Sequence, residues 1–225
     1  MTIGVIIAAA GRGSRLGAAG PKALLPLAGQ SLLIRCLRPF LAHPAVRAIA
    51  VAVPDPDDTD LALPDPRLRL VRGGAERQDS VRAGLDALPE VDVVLVHDAA
   101  RPFAGTALID AVAAAALHHG AAIPAIPVPD TLKRVDAGGR VVETLSRDGL
   151  HLAQTPQGFR PEVLRRAHAA AARDGVRGTD DAALVERLGE TVVVVDGDPL
   201  NIKITTPADL LMGEVIVMLR GDGHA

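Results

Sequence analysis

The chain has 225 residues, a formal charge of −3 and 48% hydrophobic residues, with three Phe and neither Trp nor Tyr. That length suits one domain, residues 1–225, with a sizeable aliphatic core and room for a small excursion. The scarcity of aromatic rings excludes base stacking as a main binding mode, and the slight negative charge supplies no global field, so neither nucleic acid nor a membrane is an expected partner and any anion site must be built locally.

The first predicted element is an apolar run over Ile3–Ala9, which reads as a buried strand. It leads into Ala8-Ala9-Ala10-Gly11-Arg12-Gly13-Ser14-Arg15-Leu16-Gly17 and ends at Pro21-Lys22. Small residues leave backbone N–H groups uncovered, and consecutive N–H groups form an anion-binding concavity. Arg12, Arg15 and Lys22 add positive charge, and Pro21 stiffens the chain before the lysine. The loop lacks the G-x-x-x-x-G-K-[ST] pattern. It also has Leu16 where a dinucleotide fingerprint needs its third glycine, with no acidic residue about 20 positions on, which disfavours a dinucleotide-dependent oxidoreductase. A polyphosphate suits the loop; an ordinary strand-to-helix turn is the alternative. With a strand starting this early and no apolar run of about 18 residues, the expectation is a cytoplasmic protein.

A helix is predicted over Ser31–Ala42. It carries the single cysteine, Cys36, which reads as a small buried hydrophobe. Strands follow at Ala48–Val53 and Leu68–Val71. Gly73-Gly74-Ala75-Glu76-Arg77-Gln78-Asp79-Ser80 then opens a helix over Gln78–Ala87. That start is either an anion or base-edge site or a plain capped terminus. A strand at Val91–Val96 runs into His97-Asp98-Ala99-Ala100-Arg101-Pro102. An aspartate after a buried strand can hold a metal through oxygen. The alternative is an N-cap, but the next helix, Ala107–His119, begins near Gly105 or Thr106. Arg101 reads as a structural ion pair or a phosphate contact, and His97 as a satisfied histidine.

A strand at Ala121–Ile126 precedes the one break in the alternation. Within Pro127–His151, Thr131–Val135 and Arg140–Leu145 flank Asp136-Ala-Gly-Gly139 and read as a hairpin. An isolated hairpin is marginal in water, so this one is expected to pack against another subunit. Helices at Pro161–Arg173 and Asp180–Leu188, a strand at Thr191–Val195 and a helix at Pro207–Arg220 complete the pattern. Lys203, beside a strand end, is either solvated surface or a phosphate contact. The alternation implies an α/β, Rossmann-like, mostly parallel sheet with helices on both faces and its ligand beyond the carboxyl ends of the strands.

In this order, Ala8–Lys22, Gly73-Gly-x-Glu-Arg-x-Asp-Ser80, His97-Asp-Ala-Ala-Arg-Pro102, Asp130-Thr-Leu-Lys133, Thr155-Pro-Gln157 and Asn201-Ile-Lys203 resemble the 2-C-methyl-D-erythritol 4-phosphate cytidylyltransferase family over about residues 3 to 219. The resemblance implies a nucleotide-diphospho-sugar transferase type of fold with a protruding β-hairpin arm. It also implies cytidylyl transfer from CTP to methylerythritol phosphate, with Mg²⁺ as cofactor and a homodimer formed through residues 127–151. It makes Arg15, Lys22 and Lys203 catalytic, and gives Ala9, Ala10, Gly11, Gly74 and Ser80 to CTP. Asp98, Arg101, Thr155 and Lys203 go to the sugar phosphate, with Asp98 also the metal ligand. Thr131 and Arg147 match residues that the family supplies from a partner's arm. Ala75 departs from members that carry an aspartate near the cytosine. Two alternatives are a sister enzyme acting on a pentitol phosphate such as ribitol 5-phosphate and a non-catalytic nucleotide-binding regulator.

Overall fold

The computed structural model describes residues 1–11, 22–59, 61 and 63–221. Arg12, Arg15 and the rest of the loop up to Pro21 lie outside the described residues. The chain runs β1 (Ile3–Ala8), a 3₁₀ turn (Lys22–Leu24), β2 (Pro26–Leu27), β3 (Gln30–Ser31), α1 (Leu32–Ala42), β4 (Val46–Val53), β5 (Leu68–Arg72), α2 (Arg77–Ala87), β6 (Val93–Asp98), α3 (Thr106–His119) and β7 (Ala121–Pro127). It continues with β8 (Leu132–Val135), β9 (Val141–Leu145), β10 (His151–Ala153), β11 (Gln157–Phe159), α4 (Pro161–Arg173), α5 (Asp181–Glu186), β12 (Val193–Asp196) and α6 (Pro207–Leu219).

The main sheet has the order β10-β7-β11-β6-β1-β4-β5, with β12 also on β7. Strands β6, β1, β4 and β5 are parallel neighbours, and β12 runs parallel to β7. Ala122 pairs with both Gly158 and Val193, so β12 lies on the β7 edge opposite β11. Strands β10 and β11 are antiparallel to their neighbours and are the two strands of this sheet that strand patterning does not predict; the two-residue pair β2 and β3 is missed as well. Both are three residues long, and β11 opens on a polar residue, too little for a period to show.

Apolar strands buried on both faces give a three-layer core. Ile3, Val5 and Ile7 pack with Leu33, Phe40, Ile109 and Val112, which puts α1 and α3 on one face. Ile6, Val94 and Val96 pack with Val81, Leu85, Leu164 and Val185, which puts α2, α4 and α5 on the other. A third cluster seats Ile216 and Val217 of α6 against Leu27, Leu32, Phe103 and Ile204. Cys36 is buried, as expected. Burial, and secondarily the charge of Asp98, push its thiol far above the ordinary range, so it is no nucleophile. Among the described residues no helix is long and apolar enough to cross a membrane.

The hairpin forms within a residue of its predicted place. Among the described residues its strands β8 and β9 pair only with each other, and they are almost wholly exposed. Strand β6 runs two residues beyond its predicted end, so His97 and Asp98 are its last two residues. Helix α3 starts at Thr106 behind Gly105, which removes the N-cap reading of Asp98.

Candidate active site

Strand ends β1, β5 and β6 converge at their carboxyl ends, where parallel sheets bind ligands. There an open cleft is lined by Ala8–Gly11, Lys22–Ala23, Gly74–Arg77, Ser80, Asp98–Ala100 and Lys203. The backbone approaches closely here. A Cβ on Gly73 would stand 2.5 Å from the Cβ of Ala10, and one on Gly74 would stand 2.2 Å from that of Asp79. Both positions therefore require glycine. Gly74 N–H donates to Ser80 Oγ at 3.1 Å, and Ser80 Oγ donates to the Glu76 carbonyl at 3.2 Å. The predicted CTP residues Ala9, Ala10, Gly11, Gly74 and Ser80 thus share one wall with Lys22.

A second cleft adjoins the first. It is lined by Arg77, Asp98, Arg101, Ala153–Thr155, Gln157, Thr179–Asp180 and Lys203. Arg77, Asp98 and Lys203 belong to both, so they form the partition. Asp98 Oδ1 accepts from Arg77 Nε at 2.9 Å, and Oδ2 accepts from Lys203 Nζ at 2.6 Å. Burial by itself would raise the Asp98 pKa, but the charges of Arg77 and Lys203 outweigh it and hold the carboxyl well below the usual carboxylate range.

The partition is anchored from behind. Arg77 Nη1 donates to Asp181 Oδ2 at 2.6 Å, and Asp181 Oδ1 meets His168 Nε2 at 2.9 Å. Asp181 is 0% exposed. Burial opposes its ionisation, while the His168 hydrogen bond and Arg77 hold its pKa low. Two carboxylates likewise overcome burial and keep the Arg77 guanidinium firmly protonated. The sequence names Arg77 only within a motif and gives no role to Asp181 or His168. Aspartate in a helix's first turn reads as ordinary dipole complement, so nothing local marks Asp181 as buried.

Arg101 is neither a carboxylate partner nor free. Its Nη1 donates to the Asn201 carbonyl at 2.7 Å and its Nη2 to the Ala153 carbonyl at 3.3 Å. Buried nitrogens of Arg77 (Nη2) and Arg101 (Nε) have no partner among the described residues. Burial lowers the Arg101 pKa, offset in part by Asp98. Thr155 is buried; its Oγ accepts the Asp98 N–H at 3.1 Å and lies 3.0 Å from His97 Nδ1. His97 is satisfied, as expected: burial pushes its pKa down to about 4, so it is neutral at pH 7. Thr131 and Arg147 line neither cleft; both are exposed, and Arg147 Nη1 donates to the Pro129 carbonyl.

For a metal, no group of three or more His, Cys, Asp or Glu side chains is assembled among the described residues. The cleft offers the ionised Asp98 as a hard oxygen donor, and because Arg77 and Lys203 engage both its oxygens, a divalent cation would have to displace one of them and take its other oxygens from a bound polyphosphate.

A family model, 2-C-methyl-D-erythritol 4-phosphate cytidylyltransferase (IspD), matches residues 3–219. The bifunctional enzyme IspD/IspF of Rhodopseudomonas palustris strain HaA2 is 52% identical over 211 residues, 91% of this chain and 52% of that one. The 2-C-methyl-D-erythritol 4-phosphate cytidylyltransferase of Bacillus pumilus is 44% identical over 95% of this chain and 96% of its own. The crystal structure of the cytidylyltransferase of that name from Thermus thermophilus superposes with a TM-score of 0.84 at 39% identity, over 97% of this chain and 100% of that one. The chain spans about half the length of the bifunctional relatives it matches.

Proposed function

The chain belongs to the 2-C-methyl-D-erythritol 4-phosphate cytidylyltransferase family, and from that membership we propose that it joins CTP and 2-C-methyl-D-erythritol 4-phosphate. The products are 4-diphosphocytidyl-2-C-methyl-D-erythritol and diphosphate, and the reaction belongs to isoprenoid precursor synthesis. The observation that carries the reading is the pair of adjoining clefts with Arg77, Asp98 and Lys203 between them. The glycine-walled cleft takes the nucleotide, and the polar cleft beside it takes the acceptor.

A phosphate oxygen of the acceptor attacks the α-phosphorus of CTP. The new O–P bond forms as the bond to the β-phosphate oxygen breaks, and diphosphate leaves with that electron pair. The nucleophile is already ionised, so no general base is required, in keeping with two clefts whose described linings include no histidine. The barrier is charge. Two unit charges ~4 Å apart repel by about 4 kcal/mol at an effective dielectric of ~20, and several such pairs meet here. Catalysis is then alignment and neutralisation.

Lys22 and Arg15 hold the charge that grows on the phosphorus and the leaving diphosphate. Lys203 turns its ammonium from Asp98 toward the incoming phosphate. Arg77 and Arg101 add guanidinium charge to the lining of the acceptor cleft. Asp98 would be the residue to hold Mg²⁺, which would supply further neutralisation of the phosphates. Thr131 and Arg147 serve the acceptor cleft of a second copy, in a homodimer built on residues 127–151. A Val142→Asp variant checks that assembly: sedimentation should move from dimer to monomer, and an unshifted dimer removes the hairpin from the interface.

The deciding experiment is diphosphate release by the purified chain with Mg²⁺ and CTP, offering methylerythritol 4-phosphate and ribitol 5-phosphate in parallel. Release with methylerythritol phosphate alone is expected. Release with ribitol phosphate alone overturns the acceptor, and CTP binding without release points to a non-catalytic regulator.

A further inference from the structure

His97 closes a ring of hydrogen bonds among four residues from three separate segments. His97 Nε2 lies 2.8 Å from the Arg101 carbonyl, which only accepts, so Nε2 carries the proton. In the neutral ring Nδ1 is then an acceptor, and Thr155 Oγ, 3.0 Å away, donates to it. Asn201 Nδ2 donates to the Thr155 carbonyl at 2.8 Å, and Arg101 Nη1 returns to the Asn201 carbonyl at 2.7 Å. His97 and Asn201 are each 0% exposed.

Three functional groups hang from this ring. Thr155 Oγ, its proton committed to His97, accepts the backbone N–H of Asp98 at 3.1 Å. Arg101 is a member of the ring. Lys203 lies two residues beyond Asn201, and that segment is tied again by Ile204 N–H to the Ala100 carbonyl at 2.8 Å. The nucleotide wall of Ala9–Gly11, Gly74 and Ser80 takes no part in it.

We propose that His97 is a positioning residue for the acceptor half of the reaction, fixing through Thr155 and Arg101 the places of Asp98, Arg101 and Lys203. This rests on the cytidylyl-transfer reading. Thr155 then acts through its grip on Asp98, since its hydroxyl proton points to His97. A purely space-filling His97 is a different claim, and the two rank substitutions in opposite order. His97→Phe keeps the bulk and the ring contact with Phe40, whose centroid lies 5.1 Å away, but loses both hydrogen bonds. His97→Asn loses bulk and the Nε2 bond to Arg101, yet sets an amide oxygen where Nδ1 stood and so keeps the Thr155 bond that holds Asp98.

The experiment measures kcat and KM for each substrate, with CTP affinity by calorimetry and thermal melting as controls. Expected are a loss of tenfold or more in acceptor kcat/KM for His97→Phe, a loss under about threefold for His97→Asn, and CTP affinity within twofold in both. An acceptor kcat/KM for Phe equal to or above that for Asn overturns the proposal, as does an equal loss for both substrates. On the wild-type chain, nitrogen NMR of His97 should show the Nε2-protonated tautomer at pH 7.5, and the Nδ1-protonated form breaks the ring whatever the enzyme does. A wild-type chain that shows this tautomer and binds CTP but transfers to neither acceptor refutes the functional reading while leaving the ring intact.

Discussion

The partition between the clefts and the hairpin of β8 and β9 are opposite kinds of structure assigned to one reaction. Asp98 is tied by two cations, by a backbone bond to Thr155 and, through Arg77, to a carboxylate at the bottom of the α4–α5 packing. Thr131 and Arg147 sit on an exposed excursion whose two strands, among the described residues, pair only with each other. Charged groups inside a core need every partner in place, because an unpaired buried charge is costly, whereas groups on an exposed ribbon need a surface brought to them. In the proposed dimer, the difference separates what one chain completes from what a second copy would supply.

The sharpest way to break the partition is Arg77→Met. It strands Asp98 and Asp181 together and should destabilise the chain by about 3–5 kcal/mol, the scale for removing one member of a buried charge network. Urea unfolding measures it; a loss below about 1 kcal/mol would falsify the anchoring role of Arg77. Lys22→Ala, on the facing wall, should leave the fold intact and lower kcat by roughly 10²- to 10³-fold, the scale for one preorganised charge contact. Near-normal turnover removes Lys22 from the chemistry.

On the hairpin side, Arg147→Ala should raise the KM for the acceptor about tenfold, equivalent to ~1.4 kcal/mol, with stability changed by no more than about 0.5 kcal/mol. A rise confined to the KM for CTP reverses the assignment. The smallest effect is a pH dependence. The folded pKa of Asp98 is depressed, so the unfolded chain takes up the proton first, near pH 4. Its stabilisation is present above that range and is lost as the pH falls toward the folded value. Asp98→Asn should therefore flatten part of the decline in stability between about pH 5 and 3; an unchanged slope shows that other carboxylates carry it.

Sequence periodicity predicts the layers well because the strands are apolar throughout and the helices are separated by small-residue turns. It also predicts the hairpin, where β-prone runs flank Asp136-Ala-Gly-Gly139. It does not predict β11, in which Gln157 is buried to pair with Asp180 and Gly158 is required because a Cβ there would stand 2.8 Å from Val112. Motifs single out Asp98, Lys203 and Arg101, but no spacing rule joins residues 97, 101, 155 and 201 into a ring, since those contacts exist only once three distant segments have met. Arg77 escapes a role for the same reason: its partners are 21 and 104 residues away.

The place of β11 has a consequence for how the molecule is made. It lies between β6 and β7, yet it is synthesised after both. As the chain leaves the ribosome, β6, α3 and β7 emerge as a crossover unit whose two strands are never neighbours in the finished sheet. They must keep a strand's width between them until Phe159 has emerged to fill it. Lys203 follows more than 40 residues later, so the second cleft closes only after the glycine wall of the first has been made, and a chain halted before Lys203 carries Arg77 and Asp98 without the ammonium that completes the partition.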